Sequence, residues 1–243
     1  MANQLSGPVL VAAQQVHSAS TSQLHRFGEL VFANDGRAYK YVRCDASTAV
    51  VSGNIYSNAA EDTDTQDLVA VAAAIGDLSI VSTTTVTVTA NEYAEGFILV
   101  SVTPGVGRMY KIKGHSAYTT AAPTFNLDND PVQVALTTTS RLDAMANPYN
   151  RIIVTPTSLT GVCLGAGVHP LAVDEYGWLQ VAGVANIEAE GTISVGLPVV
   201  ASDTDAGTVE TIADGAHELI HRIGTALTAA STGEFGAIIL DML

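Results

Sequence analysis

Proline and glycine recur through the second half of this chain at intervals too short for a helix of any length. Pro123, Pro131, Pro148 and Pro156 punctuate TAAPTFNLDNDPVQVALTTTSRLDAMANPYNRIIVTPT. A proline lacks the N–H that an interior helical turn needs, and it pushes the preceding residue toward extended backbone. From Leu159 onward the apolar runs are short and separated by glycine: GVCLGAGV, EYGWLQVAGVANI, GLPVVAS, GTVETI, HRIGTALTA and GAIILDML. That rhythm predicts short strands closing into a small barrel or sandwich.

The first half carries the same signal. FGELVFANDGRAYKYVRC alternates apolar and polar residues on both sides of Asn34-Asp35-Gly36, which predicts two strands joined by a tight turn. In VGRMYKIKGHSAY, Met109, Lys111 and Lys113 oppose Tyr110 and Ile112. The segment DLVAVAAAIGDLSIVSTTTVTVTANEYAEGFILVSV is less decided. Its alanine run allows a short helix, whereas TTTVTVT and the glycine in AIGD favour strands with turns. Residues 1–25, rich in Gln, Ser, Ala and Thr without a sustained period, read as an extended arm able to wrap a neighbour. The expected class is therefore all-β: antiparallel barrel or sandwich lobes, an extended N-terminal arm and very little helix. The expected division is the arm at 1–25, a β-rich domain at 26–158 and a small barrel-like domain at 159–243.

Composition narrows the function. With 47% apolar and 14% charged residues the chain can bury a core. Ten Lys and Arg against a net charge of −14 cannot form the basic surface that nucleic acid or an anionic membrane requires. The N-terminus has no basic region and only a short apolar run at Val9 to Ala13, and the longest apolar stretch, Leu68 to Gly76, is well below spanning length. A soluble protein is expected. Cys44 and Cys163 are too few and too far apart for a disulfide framework and read as buried thiols.

One motif points elsewhere. HELIH, His217 to His221, matches the H-E-x-x-H zinc-hydrolase pattern. That pattern needs both histidines on one helical face, the glutamate beside a metal-bound water, and a third ligand. The helix would have to fit between Gly215 and Gly224, and Leu227 stands where the longer pattern has its third histidine. On a strand, two histidines four residues apart would lie about 13 Å from each other. His217, Glu218 and His221 are therefore read as a chance match lying beside a strand that continues into RIGTAL, and no metal or other cofactor is expected.

Other candidates also read as structural. The loop AEDTDTQD has Asp62 and Asp64 in calcium-loop positions, but Gln66 and Asp67 break the pattern. Cys163 near His169 suggests a thiol nucleophile, yet an apolar run raises a thiol pKa. The glycines of GAGV and PGVG read as turns, since no Lys-Ser/Thr follows them. Trp178 heads an alternating strand as a core anchor or a subunit contact. Glu175-Tyr176-Gly177 and Glu234-Phe235-Gly236 enter two apolar strands in parallel fashion, and with Trp178 they make Tyr176 and Phe235 the candidate interface residues.

The order NDGRAYKYVRC, NEYAEGFILVSVTPGVGRMYKIKGHSAY, NPYNRIIV, EYGWLQVAGVANIEAEGTISVGLPVVASDTDAGTV and RIGTALTAA resembles head-associated virion proteins of tailed bacteriophages. The ending is similar to small capsid-decoration barrels, with their glycine-rich strand, G-x-P-V-V strand and I-G-x-A strand. The resemblance implies a cement protein, often a homotrimer, made in the host cytoplasm and seated on the outer capsid surface over junctions between major capsid subunits, with no catalytic residues. The major capsid protein and further copies of this chain are then the expected partners, and nucleic acid and membrane are not. A tail- or vertex-associated host-binding module is the alternative reading, and a zinc hydrolase using HELIH a remote one.

Overall fold

A computed structural model describes residues 9–10, 13–212 and 222–243. The expected strand edge at His217 and His221 lies outside the described residues. Within them no α-helix occurs, only 3-10 turns at Ala13–Val16 and Thr63–Thr65, and the fold is all-β as the punctuation predicts. Among the described residues no helix is long and apolar enough to cross a membrane.

The strands in chain order begin with β1 (Val9–Leu10), β2 (Leu30–Phe32), β3 (Ala38–Arg43) and β4 (Ile55–Asn58). Then come β5 (Leu68–Val69), β6 (Ser79–Val81), β7 (Val86–Val88), β8 (Phe97–Val102), β9 (Met109–Gly114), β10 (Tyr118–Ala121), β11 (Thr124–Leu127) and β12 (Arg141–Met145). The chain ends with β13 (Ile152–Val154), β14 (Cys163–Gly167), β15 (Tyr176–Glu188), β16 (Pro198–Ala201), β17 (Val209–Thr211), β18 (Arg222–Ala226) and β19 (Phe235–Asp241).

Two compact units result, and their division corrects the expected boundary near residue 158. One unit comprises Met1–Ala60 with Pro148–Leu243, and the other is an insertion, Glu61–Asn147. The physical reason is long-range pairing. Strand β4 bonds to β13 (Asn58↔Ile152) and to β14 (Cys163↔Ser57), so the chain on both sides of residue 158 is held in one sheet with the N-terminal strands.

In the inserted unit the strands run β5-β12-β8-β9-β11-β6. Bonds from Val71 N to Val81 O (2.8 Å) and from Thr83 N to Val69 O (2.7 Å) return the last strand to the first. The sheet thereby curls around a core that includes Tyr110, Ile112, Phe125, Ile80 and Leu142, all fully buried. The alternation read in β9 holds, with Tyr110 and Ile112 inward. The alanine run forms β5 and isolated bridges at Ala70 and Ala73, not a helix.

In the larger unit the 13-residue β15 organises everything. Along one edge it pairs with β3, from Tyr176↔Arg43 to Ala182↔Ala38. The other edge is shared in succession: β14 pairs at Leu179 and Gln180, then β19 from Ala182 to Glu188. Each half of β15 belongs to its own curl. On the first side Arg43 N bonds Tyr149 O (3.0 Å) and Cys44 bridges Ile152, so β13 returns to β3 around Val42, Cys44, Tyr56, Ile152 and Leu179. On the second, Glu190 N bonds Val209 O (2.8 Å), so β17 returns to the end of β15 around Ile187, Val199, Val209, Ile223 and Ile238.

Local chemistry explains the hairpin and the handover. Gly36 takes φ +86° in the β2–β3 turn, where Asp35 Oδ1 accepts from Arg37 N (3.2 Å). Where β15 passes from one curl to the other its register with β3 slips between Gln180 and Ala182, and Gly183 sits at φ +82°. The glycines of PGVG do turn, at φ +90° and +81°, but those of GAGV lie within β14, a correction to their reading as a turn. A Cβ at Gly165 would strike Gln180 O and one at Gly167 would strike Val51 O, so close strand approach is what these positions require.

Candidate binding site

Of the three interface candidates, two are engaged within their own chain. Trp178 is 5% exposed, its ring 5.0 Å from Tyr41 and 5.1 Å from His25. Tyr176 stacks on Phe27 at 6.1 Å and Tyr41 at 6.2 Å, with the Arg43 guanidinium 5.7 Å away and itself bonded to Asp174 at 2.6 Å. This aromatic stack, with buried Val16 and Val31, fastens the last part of the expected arm, residues 16–25, onto β3 and β15; Ser20 also exchanges backbone bonds with Tyr176. Of the two readings of Trp178, core anchor or subunit contact, its burial within the chain fits the core anchor.

Phe235 differs. It opens β19 on the outer face, and Gly53, at φ +88°, lies so close beneath that a Cβ there would collide with the ring. Beside it on the same face run Ala237 and Ile239, opposite Asn186 and Val184 of β15. Thr225 of β18 faces Ile239 and Pro198 of β16 faces Thr225, carrying the surface across four strands. Val184, Leu197, Leu227, Phe235 and Ile239 are each between 44% and 48% exposed. Exposed apolar side chains thus recur across a face that also carries Asn186, Glu188 and Thr225, which makes it a candidate contact surface.

Along β15 this face borders a cavity of about 520 Å³. Ala166 and Gly167 of β14, Gln180 and Ala185 of β15, and Phe235 of β19 line it, with Arg37 and His17 also contributing. Gln180 is 2% exposed and its amide donates to Ala182 O (3.1 Å) and Val184 O (2.9 Å), bracing the bulge. The Arg37 guanidinium is paired with Asp35 at 2.7 Å and holds that carboxyl below the usual carboxylate range. His17 Nδ1 lies 3.1 Å from Val168 O. Of these cavity residues Phe235 and the GAGV segment were singled out in the sequence but Gln180, Arg37 and His17 were not, although one signal was present: Gln180 stands alone in the apolar run WLQVAGV, and a polar side chain in such a run must be bonded when buried.

The remaining candidates keep structural geometry. Burial pushes the Cys44 thiol up to about 11 and raises that of Cys163 as well, the reverse of an activated nucleophile. Asp62 caps the short turn that follows it, its Oδ1 accepting from Asp64 N (2.9 Å), and Asp67 N donates to Asp143 (2.7 Å). Among the described residues no three His, Cys, Asp or Glu side chains stand close enough to share a metal ion. Compared with protein-family models, curated proteins and solved structures, the chain matches none.

Proposed function

We propose that this chain is a structural virion protein, a capsid cement that seats on the outer surface of a phage head and stabilises the shell. The observation that carries the reading is the apolar face spanning β15, β19, β18 and β16, presented by strands whose curls are closed by backbone hydrogen bonds. Such a face supplies burial on docking without requiring the protein to reorder, which keeps the entropic cost of association low. The net charge of −14 suits an outward position rather than one lining a DNA-filled interior. The partners are the major capsid protein and further copies of this chain.

A cement binds the assembled shell better than its disrupted form and so stabilises it by mass action. Purified protein added to undecorated heads should appear as bound copies across the shell by cryo-imaging and raise the temperature of shell disruption. Ile239→Lys should abolish both effects, because a buried unpaired ammonium opposes seating. Absence of bound copies, or signal confined to a single vertex or the tail, would overturn the reading.

A further inference from the structure

We infer that the cavity along β15 is a binding site for a neutral saccharide of one or two pyranose rings, an activity that goes beyond the capsid role and does not rest on it. Its volume of about 520 Å³ falls in the range of small-molecule sites. Its lining joins one exposed aromatic ring to several convergent hydrogen-bonding groups, and both features constrain what fits.

The polar side is built around Gln180. With both amide protons engaged by Ala182 O and Val184 O, its Oε1 is left as an acceptor that meets no donor among the described residues, on a side chain 98% withdrawn from solvent. Gln180 Oε1 is withdrawn from bulk solvent but is not sealed off, so it can accept from a hydroxyl or N–H of an occupant. The His17 ring, its Nδ1 held by the Val168 carbonyl, adds a further hydrogen-bonding nitrogen, and Asn186 and Ser52 add groups that both donate and accept. The aromatic side is Phe235, kept flat by the absence of a side chain at Gly53. A pyranose has this same duality, with an apolar C–H face and a rim of hydroxyls.

Charge removes the competing classes. Among the described residues lining the cavity Arg37 carries the one permanent charge, and Asp35 neutralises it, so neither a carboxylate nor a phosphate finds an unpaired guanidinium there.

The test titrates the purified full chain with glucose, galactose, N-acetylglucosamine, maltose and lactose, followed by amide NMR. At least one sugar should give saturable shifts confined to residues around 180–186 and 235–237, in the millimolar range. Phe235→Ala and Asn186→Ala, both at exposed positions, should each weaken binding about tenfold while leaving the rest of the spectrum intact. Ile239→Lys, outside the cavity, should bind sugar as the parent does. No saturable shift with any sugar, shifts scattered elsewhere, or undiminished binding by Phe235→Ala would overturn the inference. Head seating is measured without sugar and sugar binding without heads, so either proposal can fail alone.

Discussion

Asp45 shows how one side chain joins the two segments that flank the inserted unit. It is 8% exposed and accepts from Ser47 N (2.9 Å) and Ser47 Oγ (2.7 Å), with Arg151 Nε at 3.3 Å. Burial pushes the carboxyl up, but the Ser47 bonds and Arg151 together draw it below its ordinary value. A folded pKa below the unfolded one means that its stabilisation is complete above the usual carboxylate range and is lost as pH falls through the lowered value. Asp45→Asn should destabilise the protein by about 1.5–3 kcal/mol at neutral pH, with the difference shrinking under acid conditions. Urea melts of both proteins at neutral and acid pH check this, and a pH-independent difference would count against it. Residues of this kind escape a reading of the sequence, since nothing near Asp45 announces an arginine that the chain reaches only after the insertion. Trp178 was partly legible because a lone large ring heading an alternating strand has few places to go but inward.

At the scale of the element, β15 is the strand on which the larger unit depends. Its length comes from a bulge that lets one strand serve two curls, and the bulge needs the positive φ of Gly183. A Cβ at that position would also lie 3.0 Å from Arg37 Cα and from Gly36 O. Gly183→Ala should therefore cost about 1–3 kcal/mol and perturb the amides of both β15 halves. A change confined to the second half would mean that the two curls are less tightly joined than the pairing implies. Alternation and turn chemistry made β2, β3, β9 and the closing strands legible, because period and glycine are local signals. The glycines of β14 were misread because a glycine demanded by a neighbouring strand looks, in sequence, the same as one demanded by a turn. The helix option at the alanine run stayed open for a similar reason, since small apolar residues suit either state until their partners Ser82 and Leu136 are known.

For the whole molecule, the decisive fact is the insertion. The buried cluster of the inserted unit draws only on residues between Leu68 and Ala146, and the clusters of the larger unit draw on none of these. Each unit thus has its own hydrophobic core, the condition for folding alone. Residues 61–147 expressed separately, and the larger unit with Ala60 joined to Pro148 through a short Gly/Ser linker, should each unfold cooperatively by circular dichroism. A broad, non-cooperative melt from either would show that the cores are interdependent. A boundary near residue 158 was the natural reading of a chain taken in order, because no local pattern tells a reader that β4 waits for β13.

The same pairing has a mechanical meaning. Asn58 and Ile152 face each other across the neck of the insertion, clamped by the β4–β13 ladder. Tension along the chain between the segments before and after that neck runs through the ladder as through a short circuit, and the inserted unit hangs outside the load path. It is loaded only after the ladder tears, so tension on the flanking segments leaves the strand pairing inside residues 61–147 undisturbed.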